Sequence, residues 1–157
     1  MSIDPADLLA QARAAGLKIA TAESCTGGMV SARLIDIPGS SDVVERGFVV
    51  YSNDAKVELL GVPRNLIRER GAVSEEVARA MAEGAIAHSY ADITVGITGI
   101  AGPGSISESK PAGLVHLAAS RKGGETIHRE CRFGDIGRYE VREASADVAL
   151  ELMQSLI

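Results

Sequence analysis

Tryptophan is absent from this sequence, and aromatic residues make up only 3% of it, so each of the three tyrosines stands out. Cysteine is scarce as well. Cys25 and Cys131 are too few for a disulfide framework, and neither belongs to a C-x-x-C or C-x-C pair that would bind zinc or run redox chemistry. The three histidines, His88, His116 and His128, are scattered along the chain with no metal-ligand spacing, so neither a metal nor any other cofactor is expected. No apolar run approaches the ~18 residues of a membrane span. The opening MSIDPADLLAQARAAG has neither the basic start nor the apolar core of a secretory signal, and a cytoplasmic, non-membrane protein is expected. A formal charge of −5 also lacks the basic excess of a general nucleic-acid binder, while leaving room for a small anionic ligand in a local basic pocket.

The 157 residues, 46% hydrophobic and 24% charged, have the composition of an ordinary globular chain. That length suits one domain over 1–157, burying about 70% of the surface its unfolded form exposes. Asp4, Pro5 and Gly16 punctuate a first helix over 4–15. Apolar periodicity then predicts a strand at 17–22, a helix at 27–36, a strand at 46–52 and short helices at 53–60 and 63–70. Ser74-Glu75-Glu76-Val77 starts a further helix running to about Ser89. DITVGITG reads as a buried strand, AGPGSISESKPAG as a loop, 113–120 and 125–133 as a hairpin turning on Arg121-Lys122-Gly123-Gly124, and the stretch from about Gly137 as a closing helix. The order predicts an α/β fold: a three-layer α/β/α domain with a mixed, mainly parallel sheet.

Three segments carry more polarity than a fold requires: TAESCTGG (21–28), GFVVYSNDAK (47–56) and TGIAGPG (98–104). Each follows a predicted strand, and ligands of open α/β sheets collect beyond the carboxyl ends of strands, so the three are expected to share one site. Ser24 and Thr26 fit two roles equally well. Either caps the helix that begins near Gly27, or the helix start, with Gly27 and Gly28 allowing close approach, holds an anion while the Ser24 hydroxyl attacks a carbonyl carbon. The segment is not a G-x-S-x-G elbow, because Ala22 stands where that motif needs glycine.

A serine nucleophile needs a base, and no histidine lies in these segments; a neutral lysine can replace it. Lys56 falls in the first turn of the helix capped by Ser52 or Asn53, where a cation opposes the helix dipole; it is either a solvated surface lysine or one kept for a task. Tyr51 either packs at the strand end or presents its phenol beside the serine and lysine. Cys25 is the rival nucleophile, without an evident partner. Three glycines and a proline in TGIAGPG, Gly99 and Gly102 among them, shape a tight turn or a close ligand contact, and no G-K-[ST] makes it a Walker loop. Arg138 and Arg142, four apart on the last helix, share a face that suits a phosphate or ordinary pairing with Glu140 and Glu143.

TAESCTGG, PGSS (38–41), ERGFVVYSNDAK (45–56), GAVSEEVARAMAEGA (71–85) and TGIAGPG followed by KPAG together resemble the CinA C-terminal-domain family, whose enzymatic members are nicotinamide-nucleotide amidases. The resemblance runs from about Thr21 to Arg142. It implies hydrolysis of the carboxamide of nicotinamide mononucleotide to nicotinic acid mononucleotide and ammonia, without metal or cofactor. It also implies a Ser24–Lys56 pair with Tyr51 as the associated phenol, and Glu23, Ser41, Thr98 and Arg138 as substrate-holding positions. A homo-oligomer is compatible with it. The molybdopterin-binding-like domain that precedes this one in many relatives is expected to be absent, and with it that domain's activity.

Overall fold

The structure is a computed structural model that describes residues 2–157. Helix α1 (Pro5–Ala15) starts where the Asp4 carboxylate accepts the Ala6 N–H, and it ends at Gly16 in the left-handed region. Strand β1 (Ile19–Glu23), helix α2 (Met29–Ile35), a short 3-10 helix (Ser40–Asp42) and strand β2 (Val44–Val49) follow. Helices α3 (Asn53–Leu60), α4 (Arg64–Arg70) and α5 (Glu75–Ala87) come next, then strands β3 (Ile93–Gly99), β4 (Leu114–Arg121) and β5 (Thr126–Arg132), and finally helix α6 (Arg138–Gln154).

One five-stranded sheet has the order β2-β1-β3-β4-β5. Strand β1 is parallel to both β2 and β3, whereas β3–β4 and β4–β5 are antiparallel. Alternation along the strands sends side chains to two apolar layers. Ile19, Ile93, Val95 and Ile97 pack on one face with Leu8 and Leu9 of α1, Val30 and Leu34 of α2 and Leu150 of α6. On the other face Ala22 and Val50 pack with Leu60 of α3, Ile67 of α4 and Val77 and Met81 of α5. This is the expected three-layer α/β/α arrangement with a mixed sheet. Gly96 lets α5 lie directly on β3: a Cβ there would fall 2.7 Å from the Ala78 carbonyl oxygen and 2.8 Å from the Ala82 nitrogen.

Two boundaries differ from expectation for reasons that matter to function. Helix α2 begins at Met29 rather than at 27, because Gly27 (φ +58°) and Gly28 (φ +100°) are left-handed and stay outside it. Strand β2 starts at Val44 and stops at Val49, since Val50 turns inward with its N–H on the Glu23 carbonyl (2.9 Å) and Ser52 caps α3 by accepting the Ala55 N–H. Pairing of Glu23 with both Val49 and Ile97 brings the ends of β1, β2 and β3 to one edge. The three polar segments meet there.

Candidate active site

Ser24 is the first residue beyond β1, and its N–H is held by the Ile97 carbonyl at 3.0 Å. Lys56 sits one turn into α3 and sends its side chain back beneath the Val50–Ser52 corner. Only 1% of it is exposed. Its Nζ lies 3.0 Å from Ser24 Oγ, 3.0 Å from the Val50 carbonyl oxygen and 3.1 Å from the Tyr51 carbonyl oxygen. No carboxylate pairs with it among the described residues, so the buried ammonium is uncompensated, and burial lowers its pKa below the ordinary lysine value. Charged, the amine donates to all three neighbours; made neutral by burial, it keeps its carbonyl partners. Two N–H groups donate to the two carbonyls, and the lone pair is left to accept the Ser24 hydroxyl proton.

The pair opens onto a cavity of about 300 Å³ between the ends of β1, β2 and β3. Thr98, Gly99 and Gly102 line it from the β3 side, Tyr51 from the β2 corner and Arg138 from the first residue of α6. Arg138 donates to the Gly102 carbonyl at 2.7 Å and to the Tyr51 phenol at 3.2 Å. Lys56 and Arg138 are the charged residues of the lining, and no aspartate or glutamate accompanies them. A chain of net charge −5 therefore keeps a cavity wall free of acids. Thr98 is buried, with its hydroxyl donating to the Ala72 carbonyl at 2.8 Å.

Several expected site residues take other positions. Tyr51 meets Lys56 through its backbone carbonyl; its side chain is 65% exposed and its phenol is the acceptor of Arg138. Glu23 points to the α2 side of the sheet, fully buried, away from the cavity. Its carboxylate accepts the N–H groups of Gly28, Val30 and Ser31 and the Thr26 hydroxyl at 2.7 to 3.2 Å, which consumes the helix-start donors that were open to a ligand. Thr26, Gly27 and Gly28 accordingly shape the turn and leave the lining to Ser24 and Cys25. Arg142 lies behind that turn, donating to the Cys25 and Thr26 carbonyls at 2.9 and 3.1 Å. Ser41 stands in the short 3-10 helix before β2, at the opposite end of the strand from the cavity, because the PGSS segment leads into β2 rather than out of it.

Cys25 lines the cavity, but burial pushes its thiol up to about 12, so it is protonated at neutral pH. Asn53, Val73 and Ile106 also line the cavity and were not singled out from sequence. Val73 and Ile106 carry no chemical signal, and Asn53 is hidden by its reading as a helix cap. Outside the cavity, the sequence-distant His116 and His128 stack with ring centroids 5.2 Å apart and nitrogens at 2.9 Å. No group of three or more His, Cys, Asp or Glu suited to a metal occurs among the described residues.

The profile of the CinA C-terminal domain matches residues 5–157. A CinA-like protein of Mycobacterium sp. (strain MCS) is 55% identical over 141 residues, which cover 89% of this chain and 33% of that protein. The competence/damage inducible protein CihA of Agrobacterium tumefaciens superposes with a TM-score of 0.94 at 47% identity, over 99% of both chains. A competence-damaged protein (CinA) superfamily protein of Escherichia coli gives 0.92 at 32% identity, over 98% of this chain and 88% of that one. The chain belongs to the CinA C-terminal domain family. It spans about a third of the length of the curated relatives it matches. No helix among the described residues is long and apolar enough to cross a membrane.

Proposed function

We propose that this domain is a nicotinamide-nucleotide amidase, converting nicotinamide mononucleotide to nicotinic acid mononucleotide and ammonia with Ser24 as nucleophile and Lys56 as base. The observation that carries the reading is the buried amine of Lys56, without a carboxylate partner, 3.0 Å from Ser24 Oγ at the floor of an acid-free cavity. Neutral Lys56 takes the Ser24 proton as Oγ attacks the carboxamide carbon. The carbonyl oxygen becomes an oxyanion. The Cys25 N–H, whose one partner among the described residues is its own side-chain sulfur, is the donor at hand for it. Collapse breaks the C–N bond, and the Lys56 ammonium returns its proton to the departing nitrogen as ammonia. Water then attacks the Ser24 ester with Lys56 again as base, the acid leaves, and Ser24 regains its proton.

Arg138 is suited to the substrate phosphate, because its carbonyl and phenol partners leave its charge unneutralised. The chemistry uses the chain's own groups, with no metal or cofactor. The direct experiment measures ammonia from nicotinamide mononucleotide beside a panel of pyridine amides. Release from the mononucleotide alone supports the reading. Release only from another amide moves the substrate, and binding without release makes the domain a nucleotide-binding module.

A further inference from the structure

The turn that presents Ser24 is gripped on both flanks by ionisable side chains. Glu23 gathers N–H groups at the start of α2, and Arg142 gathers carbonyls just before it. Arg142 is not among the residues lining the cavity, and it forms no ion pair among the described residues. Its charge is spent on two peptide oxygens.

Those peptides form a chain. Arg142 Nη2 donates to the Thr26 carbonyl at 3.1 Å; the N–H of the same peptide unit, that of Gly27, donates to the Ser24 carbonyl at 3.2 Å; and the N–H of that next unit belongs to Cys25, a residue of the cavity lining. Each bond draws electron density from the peptide it enters, so the following N–H becomes a stronger donor. A guanidinium at the head strengthens the series more than a neutral donor would. Gly27 suits the arrangement: its φ of +58° turns the chain, and a Cβ there would lie 3.5 Å from Arg142 Nη2.

We infer that Arg142 is a positioning residue for the nucleophile turn, fixing the Ser24 corner and polarising the Cys25 N–H through the Thr26–Gly27 and Ser24–Cys25 peptides, rather than a substrate contact. The inference rests on Ser24 being the nucleophile. It assigns the two arginines different tasks although they share a helix face: Arg138 meets the ligand and Arg142 meets the backbone that holds the nucleophile in place.

The test uses Arg142→Met and Arg142→Lys in the full chain, with two readouts. The first is the kinetics of ammonia release from nicotinamide mononucleotide. The second is the rate of Ser24 labelling by phenylmethylsulfonyl fluoride, in which the Oγ–S bond forms, the S–F bond breaks and the proton goes to Lys56. This probe carries no phosphate, yet it develops negative charge on an oxygen beside the serine.

Arg142→Met is expected to lower kcat about 10-fold or more, leave KM within about 3-fold, and slow the labelling comparably. Arg142→Lys, which keeps a cation but offers one donor point instead of a fork, should recover part of both. A raised KM with unchanged kcat and normal labelling would overturn the inference and return Arg142 to the phosphate. If the wild type hydrolyses no mononucleotide, the proposed substrate falls while the labelling arm still decides the inference: slower labelling supports it and equal labelling overturns it. If Arg142→Met fails to fold, Arg142→Lys is judged by the same criteria, with slower labelling than wild type supporting the inference and an unchanged rate overturning it.

Discussion

Lys56 Nζ stands 3.0 Å from Ser24 Oγ, and its other neighbours are the Val50 and Tyr51 carbonyls, so the amine is surrounded by acceptors but by no counter-charge. Burial without that counter-charge favours the neutral base. Activity should rise with pH through an apparent pKa below the ~10.4 of a free lysine. Lys56→Arg should lose at least about 100-fold, because arginine stays protonated. A flat pH–rate profile, or near-normal Lys56→Arg turnover, would remove Lys56 from the role of base.

The same lowered pKa makes a stability prediction. Between the folded-state pKa and the ordinary lysine value the unfolded chain binds more protons than the folded one, so stability rises with pH across that window. Lys56→Met lacks this titration. Urea unfolding from pH 7 to 10 should therefore show the wild type gaining stability relative to Lys56→Met as pH rises. A constant difference would mean that the amine is not desolvated in the fold.

Cys25→Ser should retain substantial activity, whereas Ser24→Ala should lose about 1000-fold or more while substrate still binds. The thiol's pKa of about 12 also predicts slow alkylation by iodoacetamide at pH 8. Rapid alkylation of Cys25 accompanied by loss of activity would transfer the nucleophile role to sulfur.

Tyr51→Phe tests whether the phenol serves Lys56 or Arg138. Its hydroxyl accepts from Arg138 at 3.2 Å, so its loss is expected to change KM about 2- to 10-fold with little effect on kcat. A large fall in kcat with KM unchanged would restore the proton-relay role.

Much of the site was legible because its chemistry lies at strand ends. Ser24, Lys56 and the glycine-rich loop each follow a strand, and parallel β1, β2 and β3 bring those ends together. Identity of the side-chain partners was not legible. Glu23 and Arg142 carry the charge of ligand-binding groups, yet both are used on backbone within a turn, and nothing in linear spacing separates a carboxylate that caps a helix from one that holds a substrate. Tyr51 illustrates the same limit, since its carbonyl rather than its phenol reaches Lys56. The His116–His128 contact was hidden because it depends on the register of β4 with β5.

That histidine pair gives a prediction away from the cavity. Burial lowers both pKa values, with Glu75, Glu76, Arg79, Lys110 and Glu130 as the charged groups around them. The unfolded chain then takes up protons first as the solution is acidified, so stability should fall as pH drops through about 6.5. Replacing both residues, His116→Asn with His128→Asn, should flatten that slope between pH 7 and 5 in thermal melts. An unchanged slope would assign acid sensitivity elsewhere.

We propose that the Ser24–Lys56 pair hydrolyses the carboxamide of a nicotinamide nucleotide with the chain's own groups. The most direct test is single-turnover mixing of nicotinamide mononucleotide with excess protein in the presence of a chelator, followed by ammonia release and by the intact mass of the protein. The wild type is expected to give ammonia and a transient mass increase on Ser24 equal to the nicotinate-mononucleotide acyl group, and Ser24→Ala and Lys56→Arg are expected to give neither. Ammonia release that persists undiminished in Ser24→Ala, or that requires added metal, would contradict the proposal.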